Sequence, residues 1–435
     1  MRKMKDSGVA WLGEIPENWQ VVPSKALFRL RKEKAAPGDR QLTASQQHGI
    51  IYQDDYMALT GNRVVTVEKD FSILKRVEKG DFVISMRSFQ GGLEYSENAG
   101  SISSAYVMLI PDLEYVVPEF YKWLFKSPTY ITALQCTSNL IRDGQALRYN
   151  NFVQVPLCII PKDDQKKIAG TLGEKCQQID DLISNVQAQI EKLKAYKQSL
   201  IIEVVTKGLD PNVPMRDSGV EWIGKIPKHY DVIRMRYLIN NYKAGPFGSA
   251  LITDQLQSDG DILCYTPEHI ANQSTESNKN LYLPENRRKE MSQFFVSVGD
   301  IIFPIVGSLG RAMVITSDMP AGIINQRLAK FSIDAKKMDI NYFMWLFAKS
   351  SFFHPFIDLF QRGSIIVNLT KAIIYDMPMI VPPTLEEQKI IASYLDTKCA
   401  EIDQLIAVKQ SKIEKLEQYK RSLIYEYVTG KKEVS

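Results

Sequence analysis

The side chains best suited to catalysis or metal binding are few in this 435-residue sequence and stand far apart along it. Its four histidines are scattered, and its five cysteines, which form no CxxC pair, are Cys136, Cys158, Cys176, Cys264 and Cys399. The sequence contains no nucleotide-phosphate loop, nucleophile elbow, zinc-protease motif or EF-hand loop. We therefore predict no metal and no active site, and binding is the favoured class of function. An enzyme with an unrecognised site stays open as an alternative.

Composition and charge indicate an ordinary soluble protein of several domains. At about 150 residues per domain, the length predicts two to four domains. The hydrophobic content of 45% is enough for real cores, and the net charge of +4 permits a polyanionic partner without requiring one. The sequence shows neither an apolar run long enough to span a membrane nor a signal-peptide core, so we expect a cytoplasmic protein.

The elements that must position any binding residues are set by a stretch of 42 residues that occurs twice. Residues 165–206 and 388–429 share 24 identical positions, and their apolar residues recur every three or four positions. This spacing predicts two long helices packed as a coiled coil. The predicted seam consists of Leu172, Cys176, Ile179, Ile183, Val186, Ile190, Leu193, Leu200, Leu395, Cys399, Ile402, Ile406, Ile413, Leu416 and Leu423. Tyr196 and Val204 continue the same spacing. A single amphipathic helix packed on a globular core is the alternative, but about 63 Å per helix exceeds the width of an ordinary domain.

A second, shorter repeat precedes each divergent region. The segment DSGVAWLGEIP at 6–16 returns as DSGVEWIGKIP at 217–227, with eight of eleven positions identical. Its glycines and proline predict a turn-rich strap that presents Trp11 and Ile15. We interpret the strap as buried anchorage of a domain to the base of a helix, and ligand binding through the tryptophans is the alternative.

Between strap and helix the two copies diverge into short apolar runs broken by Gly, Pro, Asn and Asp. The turns at Gly80-Asp81 and Gly299-Asp300 each lead into a predicted strand, and VPLCIIP and MPMIVPP predict a closing strand before each long helix. We predict an α+β fold with two mixed α/β domains, two long helices and an internal pseudo-two-fold repeat. The predicted segments are a strap at 1–22, a first domain at 23–160, a helix at 161–208, a strap at 209–233, a second domain at 234–381 and a helix at 382–435.

The lengths of these segments also predict how the helices run. A domain of about 148 residues is about 38 Å across, so it cannot carry the chain back along a helix of about 63 Å. We therefore expect an antiparallel coiled coil with a domain at either end, and with the first strap at the end of the last helix. Two different domains held apart in this way suit a DNA site in two parts, about 10 to 18 base pairs apart.

The repeated straps, the helices QxxIAxxL…IEKLxxYKxSLIxExVT and the two divergent domains resemble the specificity (S) subunits of Type I restriction-modification systems over essentially the whole chain. GPFGSAL at 245–251, followed by GDIIFPIVGSLGRAMVI, resembles a target-recognition-domain pattern, as does GDFVISMRSFQGGLEYSENAGSISSAY in the first domain.

This resemblance implies that each target-recognition domain reads half of a split sequence in double-stranded DNA, while the helices fix the gap. Two methyltransferase (modification) subunits would dock on the chain and methylate adenine N6 with S-adenosylmethionine that they bind themselves. Restriction subunits, which use ATP and magnesium, would cleave unmethylated DNA. The chain itself would be non-catalytic and hold no cofactor.

Polar residues on predicted loops are the candidates for reading bases, because Arg suits guanine, Asn and Gln suit adenine, and Ser suits either. In the first domain they are Arg40, Gln46, Gln47, Arg63, Arg87, Ser88, Gln90, Arg142, Gln145 and Arg148. In the second domain they are Ser249, His269, Asn272, Gln273, Ser308, Arg311, Asn325, Gln326, Arg327, Arg362 and Ser364. Arg87, Gln90, Arg311 and Gln326 rank first because they flank the aligned turns. A non-catalytic scaffold that holds two protein partners is the alternative function.

Overall fold

The computed structural model describes residues 3–36, 38–45, 47–67, 71–84, 93–137, 147–277, 279–306, 310–350, 352–358 and 369–434. Its contacts divide the chain into two compact units. The first unit contains Met1–Gln187 and Gln410–Ser435, and the second contains Ala188–Lys409. Each unit therefore combines one globular domain with the beginning of one long helix and the end of the other.

The elements up to the first long helix are short. The strands are β1 (Met4–Asp6), β2 (Glu14–Pro16), β3 (Gln20–Val22), β4 (Phe28–Leu30), β5 (Leu42–Ser45), β6 (Gly49–Tyr52), β7 (Lys75–Val77), β8 (Phe82–Ile84), β9 (Leu93–Tyr95), β10 (Gly100–Ile102), β11 (Val107–Pro111) and β12 (Leu157–Ile159). The helices are α1 (Gln53–Thr60), α2 (Pro118–Leu124), α3 (Pro128–Gln135), α4 (Tyr149–Val153) and the long α5 (Lys162–Lys207).

The elements after the first long helix follow a related order, with fewer strands among the described residues. The strands are β13 (Met215–Asp217), β14 (Lys225–Pro227), β15 (Asp231–Arg234), β16 (Ile239–Ala244), β17 (Leu263–Tyr265), β18 (Ile301–Pro304), β19 (Met313–Val314), β20 (Gly322–Ile324), β21 (Leu328–Ile333) and β22 (Pro378–Val381). The helices are α6 (Pro267–Asn272), α7 (Ile340–Met344), α8 (His354–Asp358), α9 (Lys371–Asp376) and the long α10 (Leu385–Val428), and a π-helical turn, Trp345–Lys349, continues α7.

Both domains are built on an antiparallel sheet of the same strand order. The first sheet runs β4-β11-β8-β9 and the second runs β16-β21-β18-β19. The strand after each Gly-Asp turn, β8 or β18, is fully buried, and its Phe82 or Phe303 lies edge-on or tilted against aromatic rings from neighbouring elements. The predicted α+β fold with two related domains is confirmed.

The aligned Gly-Asp turns have the same hydrogen bonds in both domains. Gly80 and Gly299 adopt positive φ angles of 101° and 88°, which favour glycine. The buried carboxylate of Asp81 accepts from the Glu78 backbone N–H at 2.9 Å, and that of Asp300 accepts from Ser297 N–H at 3.0 Å. A turn closed by its own carboxylate leads directly into the central strand, as the sequence predicts.

The long helices run antiparallel within each unit. In the second unit, Lys409 Nζ donates to Gln189 Oε1 at 2.6 Å, and Lys197 Nζ lies 2.6 Å from Asp403 Oδ2. In the first unit, Lys420 Nζ lies 2.6 Å from Asp180 Oδ1, while Gly173 and Ile424 line one cleft. Residue numbers therefore rise on one helix as they fall on the other, which confirms the antiparallel prediction.

The predicted seam residues are buried or half-buried in their units, whereas Tyr196 differs. Its side chain is 57% exposed. Tyr196 lies only one position before Lys197, which forms an ion pair at the edge of the helix pair. Leu193 and Leu200 are two helical turns apart, and the half-buried position between them is occupied by Lys197 and not by Tyr196.

Each strap forms a hairpin, β1–β2 or β13–β14, that packs on the end of a long helix in its unit. In the first unit, Trp11 and Ile15 lie in one core with Tyr427, and Trp11 Nε1 donates to Pro156 O at 3.2 Å. In the second unit, Ile226 shares a core with Val205. The strap tryptophan of the first unit is therefore buried anchorage, as interpreted from the sequence.

Glycine is required where each long helix meets its strap. Gly208 and Gly430 follow the two helices with φ angles of 73° and 72°. A Cβ on Gly208 would collide with Tyr230 Oη, and one on Gly430 would lie 2.6 Å from Pro16 Cδ and 2.9 Å from Trp19. Both backbone angle and close packing therefore exclude larger residues at these helix ends.

Candidate nucleic-acid interface

Three connections of the second domain meet at one edge of its strands. Strands β17 and β20 are parallel, so the loops that follow them leave at the same edge. Asn325 N donates to Tyr265 O at 3.1 Å, and Ile305 N donates to Arg327 O at 2.9 Å. These bonds join the start of α6, the loop after β18 and the turn at 325–327.

Six predicted base-reading residues lie on these connections, which are Asn272, Gln273, Arg311, Asn325, Gln326 and Arg327. Asn272, Arg311, Gln326 and Arg327 are exposed. The Asn325 side chain accepts from Arg327 N at 3.0 Å and so shapes the turn that displays its neighbours. The structure therefore gathers separate parts of the sequence into one polar and basic surface, which we call the 272–327 edge.

The Gln273 side chain forms hydrogen bonds within this edge, whereas the sequence predicts that it contacts bases. It adopts a left-handed conformation with φ of 49° at the end of α6. Its Nε2 donates to Ile270 O at 2.7 Å and to Ala312 O at 3.1 Å. The side chain therefore ties α6 to the residue that follows Arg311, and its donor is already used.

His269 is the clear correction among the candidates of the second domain. It lies within α6 and is only 3% exposed. Its Nδ1 accepts from Thr266 N at 2.9 Å, and its Nε2 lies 2.8 Å from Asn280 Oδ1. A histidine whose two ring nitrogens are used inside the domain holds the helix in place and is not a loop residue available to DNA.

In the first domain, the structure brings the segments of Arg40 and Arg63 together. Gln41 exchanges two hydrogen bonds with the main chain of Val67, at 2.7 and 2.9 Å, so the loop at 61–67 returns beside β5. Arg63 is exposed on that loop.

The charge of Arg40 is largely offset by its neighbours. Its guanidinium lies 2.7 Å from Asp54 and 3.4 Å from Asp55, and 3.7 Å above the ring of Tyr52. The hydrogen bond with Asp54 raises the pKa of Arg40 and lowers the pKa of Asp54. The positive charge of Arg40 is therefore partly neutralised through Nη2, the nitrogen that both carboxylates contact.

The other candidates are not part of these two groups. Gln47 is exposed in the turn between β5 and β6, and Arg148 is exposed before α4. Outside the described residues lie Gln46, Arg87, Ser88, Gln90, Arg142, Gln145, Ser308, Arg362 and Ser364, and the side chain of Ser249. Of the four highest-ranked candidates, the structure thus describes Arg311 and Gln326, and both lie on the 272–327 edge.

A cleft of about 940 Å³ in the first unit is lined by several charged side chains. Its Lys126 and Glu94 are paired, and Lys122 lies 3.0 Å from Glu97 and 4.0 Å above the Tyr95 ring. Burial raises the pKa of Glu94, while Lys126 acts in the opposite direction. These contacts link α2 to β9 and the loop after it, and the cleft brings no nucleophile–base pair together among the residues that line it.

The described ranges contain neither a metal-binding group of side chains nor a membrane-spanning helix. There, no group of three or more His, Cys, Asp and Glu side chains could hold a metal ion. None of the helices described, including the two long ones, has a stretch apolar enough to cross a bilayer. The four buried cysteines lie in three hydrophobic cores, one of which contains both Cys158 and Cys176. Burial raises the pKa of Cys158 and Cys264 to about 12.

Each of the two related domains is anchored by a hairpin strap on an antiparallel helix pair in its unit, so the chain belongs to the class of internally duplicated α+β proteins. Residues 246–418 match the family described as Type I restriction modification DNA specificity domain. These residues cover most of the second domain and much of α10. This match and the relatives below show that the chain is similar to type I restriction-modification specificity subunits.

Two curated relatives come from Methanocaldococcus jannaschii. The chain is 23% identical over 284 residues to the type I restriction enzyme MjaVIII specificity subunit, covering 64% of this chain and 63% of that protein. It is 22% identical over 442 residues to a putative type I restriction enzyme MjaX specificity subunit, covering 97% of this chain and 95% of that protein. The alignment thus spans just under two thirds of the first relative and nearly all of the second.

Two solved structures share the fold. One, titled "Structural basis underlying complex assembly and conformational transition of the type I R-M system", has a TM-score of 0.69 at 13% identity and covers 95% of this chain and 98% of its own. The crystal structure of the HsdS subunit from Thermoanaerobacter tengcongensis has a TM-score of 0.54 at 14% identity, covering 96% and 98%. At these identities the likeness concerns the fold alone.

Proposed function

We propose that this chain is the DNA-binding specificity subunit of a type I restriction-modification complex. Each domain reads one part of a bipartite sequence, and the chain directs adenine-N6 methylation and restriction without performing either reaction. The 272–327 edge is the observation that carries this proposal. Exposed arginine, glutamine and asparagine side chains on rigidly connected loops are the groups that contact phosphates and base edges.

The two domains, which we propose to read DNA, differ in strand pairing, whereas the elements that support them are repeated. In the first domain β7 and β10 pair antiparallel, whereas in the second domain β17 and β20 pair parallel. The four-stranded sheets keep one strand order. We propose that the segments 23–160 and 234–381 act as exchangeable recognition modules, and that the straps and helices at 1–22, 161–208, 209–233 and 382–435 are the common support.

We further propose that two modification subunits, which bring S-adenosylmethionine, dock on the helices, and that restriction subunits, which use ATP and magnesium, join them. A repeated feature of the helix surface supports two copies of one partner. Leu182 and Tyr419 are 48% and 53% exposed in the first unit, and their repeat equivalents, Leu405 and Tyr196, are 52% and 57% exposed in the second. Each unit therefore offers one exposed Leu and one exposed Tyr at equivalent positions.

The helices are proposed to set the gap between the two parts of the DNA site. The helix α5 has 46 residues and α10 has 44, which corresponds to about 66 to 69 Å each. Adding about four residues to one helix, a turn of about 6 Å, should change the gap and leave both half-sites unchanged. Exchange of residues 23–160 should instead change one half-site and leave the gap unchanged.

The deciding experiment is to express the full chain with its cognate modification subunit in cells that lack adenine methylation. N6-methyladenine is then mapped across the genome by single-molecule sequencing. We expect a split motif with methylation on opposite strands in its two parts. The modification subunit alone is the control, and an unchanged map with both proteins soluble and associated would contradict the proposal.

Salt dependence separates the proposal from the scaffold alternative. DNA binding by the complex should weaken steeply as salt rises, because neutralised phosphates release counterions. A scaffold that only joins two proteins should not bind DNA specifically, and its complex with those proteins should remain assembled over the same salt range.

A further inference from the structure

Phe247 is the most exposed aromatic side chain among the described residues. It is 71% exposed in the turn Gly245-Pro246-Phe247-Gly248, which follows β16. Tyr237 is another exposed aromatic residue of the second domain. It is 62% exposed and lies before β16, not in this turn. A large ring exposed to water forgoes the free energy that its burial would contribute, and this ring is available for contact with a partner.

The turn that carries Phe247 is held firmly against the 272–327 edge. Gly245 N donates to Leu328 O at 2.8 Å, and a Cβ on Gly245 would collide with Asn325 O. Pro246 restricts its own φ angle, and Gly248 has a positive φ of 59°. The ring is therefore projected from a constrained backbone that touches the turn carrying Gln326 and Arg327.

Positive and aromatic side chains surround the same turn. Phe247 lines a recess of about 440 Å³ together with Lys243, Lys371, Tyr242 and Phe294. The Lys243 ammonium lies 5.2 Å above the Phe294 ring, and the Lys371 ammonium lies 4.9 Å above the Tyr375 ring. Cations beside an exposed ring suit a polyanion whose bases offer flat apolar faces.

We propose that Phe247 inserts between neighbouring bases of the half-site read by the second domain, while Lys243 and Lys371 contact phosphates. This inference rests on the proposed function and adds an insertion step to it. Apolar side chains used as wedges partly unstack a base step, and the sequence-dependent cost of that distortion contributes to specificity. In the first domain the segment after β4, Arg31–Ala36, carries no aromatic residue, so the inference concerns the second half-site.

The test uses the full complex of this chain with its modification subunits and a duplex carrying the mapped motif. Adenines of the second half-site are replaced one at a time by 2-aminopurine, whose fluorescence rises when stacking is lost. We expect the unaltered chain to raise the fluorescence at one base step, and Phe247→Ala to abolish that rise and weaken binding about 5- to 150-fold.

Tyr237→Ala is the matched control, because it removes an exposed aromatic at the opposite end of β16, about 20 Å away. It should keep both the fluorescence signal and the affinity. Circular dichroism and association with the modification subunit check that each variant is folded and assembled. Phe247→Leu, which keeps an apolar wedge, should recover part of the fluorescence rise.

Two outcomes would overturn the inference. Phe247→Ala could bind as tightly and give the same 2-aminopurine signal as the unaltered chain. It could instead lose its modification subunit while no base step responds in the unaltered complex, which would assign Phe247 to a protein interface. Failure of the proposed function is a different result, in which the unaltered complex neither methylates nor binds any split motif.

Discussion

Gln165 is predicted to fasten the first domain to its long helix through three hydrogen bonds. The side chain is fully buried at the start of α5. Its Oε1 accepts from Val117 N at 2.7 Å, and its Nε2 donates to Tyr115 O at 2.7 Å and to Ile160 O at 2.8 Å. The amide thus joins the residues before α2, the end of the closing strand and the helix.

Replacing Gln165 by leucine would leave one backbone N–H and two carbonyls without this partner inside the domain. At about 1 to 1.5 kcal/mol for each hydrogen bond, the loss is about 3 to 4 kcal/mol of unfolding free energy for the first unit. For a unit of this size the melting temperature should fall by about 10 °C. Gln165→Glu, which keeps the shape but cannot donate at neutral pH, should cost at least as much.

The assay combines urea unfolding of the purified full chain with hydrogen exchange of the Val117 amide. Gln178→Leu, the same change at an exposed position of α5, is the control and should have little effect. The repeat equivalent Gln388 makes the same three kinds of bond, to Asp339 N and to the carbonyls of Lys337 and Pro382. A loss below about 1 kcal/mol with Val117 still protected would refute the reasoning.

Three further predictions concern charge, burial and recognition. Burial raises the pKa of Glu94, so its carboxylate is less favoured in the folded chain; the contribution of Glu94 to the unfolding free energy should therefore fall as pH rises above the ordinary pKa of a glutamate, and Glu94→Gln should remove that part of the pH dependence in urea titrations. Iodoacetamide at about pH 8 should label the exposed Cys136 and spare Cys158, whose pKa burial raises to about 12, as peptide mass spectrometry would reveal; equal labelling would contradict the described core. Arg311→Ala should relax recognition of the second half-site alone, at a cost of about 1 to 3 kcal/mol if its guanidinium is bidentate to guanine, and an unchanged methylation map and affinity would remove it from the interface.

The scaffold of this fold could be predicted because its signals are long or repeated. Heptad-like spacing over 42 residues predicts the helices despite single exceptions such as Tyr196. The repetition of the strap within one chain indicates that it has a structural role. Glycine before aspartate, as at Gly80 and Gly299, marks a turn through local chemistry. Helix direction followed from chain reach, which is a property of lengths and needs no side-chain detail.

The candidate interface was less predictable because side chains meet there through tertiary pairing. No local pattern indicates that β17 and β20 pair parallel while β7 and β10 pair antiparallel, yet that pairing decides which loops share an edge. The His269 side chain is of a type that can form hydrogen bonds with bases, but both of its ring nitrogens form contacts within the domain. Phe247 is not among the candidates, because these are polar residues that can form hydrogen bonds with bases and an apolar ring cannot.

Comparing the two copies within this chain distinguishes the repeated residues, which support the domains, from the divergent loops, which we propose to contact DNA. Gln165 and Gln388 keep the same hydrogen bonds, and the ion pairs Asp180–Lys420 and Asp403–Lys197 occupy equivalent positions at 2.6 Å. The strand pairing beneath the 272–327 edge differs, because β17 and β20 are parallel whereas β7 and β10 of the first domain are antiparallel. Because both copies share the same support, their differences are free to specify different half-sites, and a domain exchange should transfer one half-site without disturbing the other.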